Sequence, residues 1–299
     1  MQWRNRRQSN NIEDLRGRGG SGGGLAVKGG LGTMVLALVL WGVFGIDPRT
    51  TMQIGQQVQS SGPAQPVQET AQSQQDREFV AVVLADNEDV WQQIFAEQGQ
   101  RYQEPTLTLF SGGVQSACGS ASAATGPFYC PADQKLYLDM SFFEDMRQQL
   151  GIVGEQAGSG SAAANAAGDF AQAYVIAHEV GHHVQNLLGI ASQVDQARRQ
   201  SSEVKSNALS VRQELQADCF AGIWANRNQQ RVQFLQQGDL DEALNAATQI
   251  GDDRLQQRSQ GYVVPESFTH GTSAQRVRWF KAGFEGGKLS NCDTFGQPI

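Results

Sequence analysis

The chain has 299 residues, 18% of them charged, with a formal net charge of −7, four cysteines and four histidines. That length supports one substantial core beyond any targeting segment. The acidic balance argues against nucleic acid as a partner.

The first 28 residues are basic, with Arg4, Arg6, Arg7, Arg16, Arg18 and Lys28 against Glu13 and Asp14. Residues 29–46 carry no charge, and at 1.5 Å per residue they reach roughly 27 Å, enough to span a bilayer. Lys28 can snorkel at one edge and Trp41 sits near the other interface. The positive-inside rule then holds the N-terminus in the cytoplasm and sends the rest outward. A cleaved signal peptide is the rival reading, but the charged lead is long and no A-x-A site follows the run. A buried core helix fits poorly, because the run has no polar face. The expected organisation is a cytoplasmic tail at 1–28, a single transmembrane anchor at 29–46 and a flexible linker at 47–75. That linker is rich in Gln, Ser, Thr and Pro. A periplasmic or otherwise extracytoplasmic domain follows at 76–299.

Within that domain, Phe79 to Glu97 has helical spacing, with Val80, Val83, Leu84, Trp91, Ile94 and Phe95 on its apolar side. Thr106 to Phe110 reads as a strand. Phe128–Cys130 and Lys135–Leu138 read as a hairpin around Pro131-Ala132-Asp133-Gln134. Met140 to Leu150 reads as a helix, and a Gly/Ala/Ser-rich loop from Gly151 to Gly168 follows, with Asp169 placed to cap the next helix.

That next helix carries His178-Glu179-Val180-Gly181-His182. Positions i and i+4 stand on one helix face, so both imidazoles can reach one metal while Glu179 addresses a water beside it. The flanking Ala173–Ala177, Val184, Leu187 and Leu188 suit a buried helix, and Gly189 stops it. Catalytic zinc needs a third protein ligand and one open position. Gln185 and Leu188 stand where the metzincin pattern needs Gly and His, so that pattern fails. His183 points about 100° away from His182 on the helix.

Residues 208–226 supply the alternative. Glu214 and Asp218 share a face at i and i+4, among Leu215, Phe220, Ile223 and Trp224. Ala217, Ala221 and Gly222 are small enough for close approach to the motif helix. We assign Glu214 as third ligand, and Asp218 as acceptor from the far nitrogen of a ligating histidine. Helices dominate from there to Thr272–Gly283, which opens with a Thr-x-x-Gln capping box. A few strands followed by helices suit an α+β fold. An edge strand beside the zinc helix, the hairpin being the candidate, would bind extended peptide.

H-E-x-x-H followed by E-x-x-A-D resembles the gluzincin metallopeptidases. Together with the basic N-terminus, the apolar run and Gly126–Asp133, the chain is similar to a bacterial family of membrane-anchored neutral zinc metallopeptidases. The resemblance spans nearly the whole chain apart from the linker, and implies one zinc, a zincin-like fold and a membrane tether. It says little about substrate.

All four cysteines fall on the outward side, and an even number there suggests two disulfides among three connectivities. Cys118–Cys130 with Cys219–Cys292 is the favoured pairing, free thiols being the alternative. No C-x-x-C is present, which argues against a cysteine zinc site. His270 is the first candidate for stabilising the oxyanion, followed by Tyr262 and Arg276; a plain loop residue is the competing reading of His270. The expected function is a membrane-tethered zinc peptidase acting on peptide or protein. A zinc-bearing scaffold with little turnover, or an amidase of cell-wall peptides, remains beside it.

Overall fold

The computed structural model describes residues 1–17, 70–150 and 168–299. The expected anchor at 29–46, almost all of the linker and the stretch 151–167 lie outside the described residues. Among the described residues, no helix is long and apolar enough to cross a membrane.

The body is mostly helical with a small sheet. Its first helix, α1 (Ala71–Glu97), opens on a capping box in which Thr70 accepts from the Ser73 N–H at 3.0 Å. Sequence spacing predicts this helix only from Phe79, because its first two turns carry no apolar stripe. From Phe79 to Phe95 the helix is largely buried, and Trp91 meets Phe220 edge-to-face at 5.5 Å.

Six strands are described: β1 (Ile12–Asp14), β2 (Thr106–Phe110), β3 (Gly113–Ser116), β4 (Gly119–Ser122), β5 (Phe128–Cys130) and β6 (Lys135–Asp139). The main sheet runs β1-β2-β6-β5, and β3 with β4 forms a separate hairpin. Strands β1, β2 and β6 are parallel, while β5 pairs antiparallel to β6 with Tyr129 opposite Leu136. The expected hairpin is therefore present, and β5 is a sheet edge.

The organisation expected for the N-terminus is not what the structure describes. Residues 1–17 are part of the body: Met1 and Trp3 are buried in its core, and β1 extends the sheet next to β2. A three-residue strand pairing with a partner over 90 residues downstream leaves no local pattern to read, and the arginines flanking it look like a charged tail in isolation.

Seven further helices follow: α2 (Ser141–Leu150), α3 (Asp169–Leu187), α4 (Ile190–Arg199), α5 (Glu203–Val232), α6 (Asp239–Gln249), α7 (Asp252–Gln260) and α8 (Ser273–Gly286). Helix α8 opens on the predicted Thr272–Gln275 capping box. Gly168, not Asp169, is the cap residue of α3. Asp169 begins the helix and its carboxylate instead accepts from the Trp3 indole at 3.1 Å.

The long helix α5 is the axis of the site-bearing half, packed against α3 on one side and α8 on another. Gly181, inside the H-E-x-x-H motif, lets α3 approach α5: a Cβ there would stand 3.0 Å from the Ala217 carbonyl oxygen. Gly222 faces α8 and not the motif helix as expected; a Cβ on it would lie 2.1 Å from the Phe280 carbonyl oxygen. Both predicted disulfides are formed. Cys118–Cys130 joins the β3–β4 turn to β5, and Cys219–Cys292 ties α5 to the C-terminal segment.

Candidate metal centre and cleft

Helices α3 and α5 bring His178, His182 and Glu214 together, with one donor atom from each lying within 4.8 Å of the others. His178 Nε2 stands 3.1 Å from Glu214 Oε2, and His182 Nε2 stands 3.4 Å from Glu214 Oε1. Four-coordinate zinc, with bonds of about 2.0–2.2 Å, sets its donors about 3.4 Å apart. The nitrogen–nitrogen–oxygen donor set and its spacing fit that ion.

The other nitrogen of each imidazole is committed elsewhere. His178 Nδ1 lies 2.8 Å from Asp218 Oδ1, the role assigned to Asp218 from sequence. His182 Nδ1 lies 2.9 Å from Gln185 Oε1. Gln185 is itself held, its amide donating to the Gln213 carbonyl at 2.7 Å and to Gln216 Oε1 at 3.1 Å. Such partners fix the tautomer that leaves Nε2 free for a metal.

Asp218 is fully buried, and its charge is balanced from α8. Arg276 donates from Nε to Oδ2 and from a terminal nitrogen to Oδ1, both at 2.9 Å, and the Tyr174 hydroxyl donates to Oδ1 at 2.5 Å. Burial pushes the Asp218 carboxyl up, but Arg276 and His178 outweigh it and hold its pKa below the usual value. Burial disfavours an imidazolium at His178, yet Asp218 and Glu214 outweigh that and push its pKa up to about 10. The carboxylates around this pair of imidazoles thus call for positive charge, which a divalent cation supplies.

A cleft of about 520 Å³ opens onto the donors, and Glu179, His270 and Arg276 line it with them. Its apolar wall comes from Pro127, Phe128, Tyr129, Phe142, Val175, Ala191, Ile250 and Leu255. Burial raises the pKa of Glu179, and the backbone N–H of Tyr129 on β5 hydrogen-bonds its carboxylate. The edge strand thus touches the motif helix, as the sequence led us to expect.

His270 reaches the same cleft. Its Nδ1 stands 3.2 Å from Asp252 Oδ1, while Asp252 Oδ2 accepts the backbone N–H groups of Thr269, His270 and Gly271 at 2.8, 2.6 and 3.0 Å. The bond to Asp252 raises the His270 pKa. Of the two candidates ranked after His270, Tyr262 is 60% exposed and is not in the cleft lining, whereas Arg276 lines the cleft while donating to Asp218. His183 is a fully buried packing residue: its ring bonds the Tyr129 hydroxyl at 3.0 Å and the Gln103 carbonyl at 2.6 Å.

Sequence reasoning did not identify Tyr174, Gln185 or Asp252 as parts of this arrangement. Tyr174 lies four residues before His178 and Gln185 three after His182, so helical spacing could have found both. Asp252 has no such signal, because its partners are 17 to 19 residues away across a loop.

The sequence profile of the family described as "Putative neutral zinc metallopeptidase" matches residues 1–295, and the chain belongs to that family. It is 47% identical over 308 aligned residues to the uncharacterized protein YpfJ of Escherichia coli K12, covering all of both chains. It is also 42% identical over 203 residues to the uncharacterized protein Rv2575 of Mycobacterium tuberculosis, covering 65% of this chain and 63% of that one. No solved structure matches.

Proposed function

We propose that the protein is a zinc-dependent peptidase that hydrolyses peptide bonds of peptide or protein substrates outside the cytoplasm. The observation that carries this reading is the coincidence of a three-donor cluster, a raised carboxylate at Glu179 and an edge strand in one cleft. One zinc per chain would be held by His178, His182 and Glu214, and when bound it supplies a Lewis acid that acidifies water and polarises a carbonyl.

The chain's own residues then divide the work. Glu179 takes the proton from the attacking water and passes it to the leaving amine, a role that its raised pKa suits. His270, steered by Asp252, presents a donor to the oxygen on which charge develops. Among the described residues strand β5 ends the sheet and, beside the Tyr129 N–H that meets Glu179, offers backbone groups to an extended substrate. The apolar wall of Phe128, Phe142, Ile250 and Leu255 takes a large apolar side chain. The two disulfides favour an oxidising compartment.

The test is hydrolysis of an unfolded, casein-like protein by the full chain. The expected outcome is cleavage that stops with a chelator, returns with zinc and is absent in Glu179→Gln, which still holds the metal. Zinc retained without cleavage in the wild type would favour a scaffold instead.

A further inference from the structure

The first seventeen residues make a seam with the body that one membrane crossing between the two would tear apart. Four backbone hydrogen bonds, of 2.8 to 2.9 Å, close it: Gln2 N–H to the Phe234 carbonyl, Ser9 to Ala81, Leu15 to Leu109 and Leu107 to Asn11. Trp3 packs edge-to-face on Phe79 at 5.5 Å and its indole reaches Asp169, the first residue of the histidine-bearing helix.

The charges are matched across the same seam. Glu88 of α1 is 1% exposed, and the partners of its carboxylate are Arg7 at 2.9 Å, the Ser9 hydroxyl and the Asn11 amide at 2.8 Å. Buried Asp86, two residues earlier on the same helix, is paired with Arg6 and with Arg231. Lys135 of β6 reaches back to Glu13 of β1 at 2.7 Å. Without the segment, Glu88 would lose all three of these partners. Arg6 and Arg7, two of the arginines that would mark a cytoplasmic flank, are thereby paired with acids on α1.

We infer that residues 1–17 and the zinc-site body share one side of any membrane as a single folded unit. The chain then does not leave its N-terminus in the cytoplasm while exporting the catalytic cleft. This goes beyond the peptidase reading and holds whether or not the cleft turns over peptide.

Single cysteines test it in the full-length chain, placed separately at the exposed positions Gln8 and Arg199 and probed with a membrane-impermeant maleimide before and after cell lysis. A denatured sample establishes that each thiol reacts. The expected result is the same pattern for Gln8→Cys and Arg199→Cys, both reactive in intact cells or both only after lysis. One reactive in intact cells and the other only after lysis overturns the inference. Limited trypsinolysis of the purified full chain reads the docking itself. Cleavage after Arg6 and Arg7 should be at least about tenfold slower than in a free peptide of residues 1–17, because it needs prior opening. Equal rates would overturn the docked seam.

Discussion

Two buried carboxylate networks, one behind the zinc donors and one along the N-terminal seam, use the same parts with different results. Asp218 meets Arg276 through two bonds, with Tyr174 and His178 completing its shell, and its pKa is held below the usual carboxylate value. Asp86 meets Arg6, Arg231 and Asn228, yet burial dominates and pushes its pKa up to about 6. The arginines at the seam are shared among Asp86, Glu88 and Asp89, whereas Arg276 is committed to one carboxylate. Geometry and stoichiometry, more than the mere presence of an arginine, decide whether a buried charge is held or merely tolerated.

Four substitutions break or sharpen that contrast. The largest effect belongs to the residue neither network holds: Glu179→Gln should lower peptide hydrolysis by about 10²–10⁴-fold, the range for losing a positioned base. Its zinc content, read by atomic spectroscopy, should stay at the wild-type level.

Asp218→Ala strands the Arg276 guanidinium, and breaking a buried pair in that way costs about 3–5 kcal/mol. Chemical denaturation measures that loss. Zinc competition with a chromogenic chelator should show affinity falling about 10–100-fold, as for other outer partners of a ligating histidine. Gln185→Ala removes a neutral partner from His182, so its loss of zinc affinity should sit at about the tenfold lower end of that range. Equal losses in the two variants would erase the distinction between a charged and a neutral backing.

The smallest effect is a slope. Because the Asp86 pKa in the folded state lies above its unfolded value, the folded protein holds that proton better. The stability this contributes is complete below about pH 4 and is lost as pH rises through about 6. Asp86→Asn should therefore gain in Tm relative to wild type between pH 4 and 7. Asp218, with a depressed pKa, behaves oppositely: its contribution is present above the usual carboxylate range and disappears only as pH falls through its lowered value. A Tm difference between Asp86→Asn and wild type that stays flat across that window would remove the seam from the account.

What the sequence revealed and what it hid divide along the same line. His178, His182, Glu214 and Asp218 were legible because each pair sits at i and i+4 on one helix, and helical periodicity turns spacing into shared faces. The Thr272 capping box and the β5–β6 hairpin were legible for similar local reasons. The second partner of Asp218 was not, since Arg276 comes from 58 residues later and sequence offered its guanidinium only as a further oxyanion donor. Asp252 was hidden behind a loop, and β1 behind a parallel pairing that no local pattern announces. Arg6 and Arg7 were visible as charges, but their carboxylate partners on α1 could be assigned only in three dimensions.

The most direct measurement is zinc per chain in purified full-length protein beside Glu214→Ala, with X-ray absorption reporting the bound atoms. One zinc is expected in the wild type, coordinated by two imidazole nitrogens and oxygen, with a large loss of bound metal in the variant. Full zinc occupancy in Glu214→Ala with an unchanged absorption spectrum would contradict it.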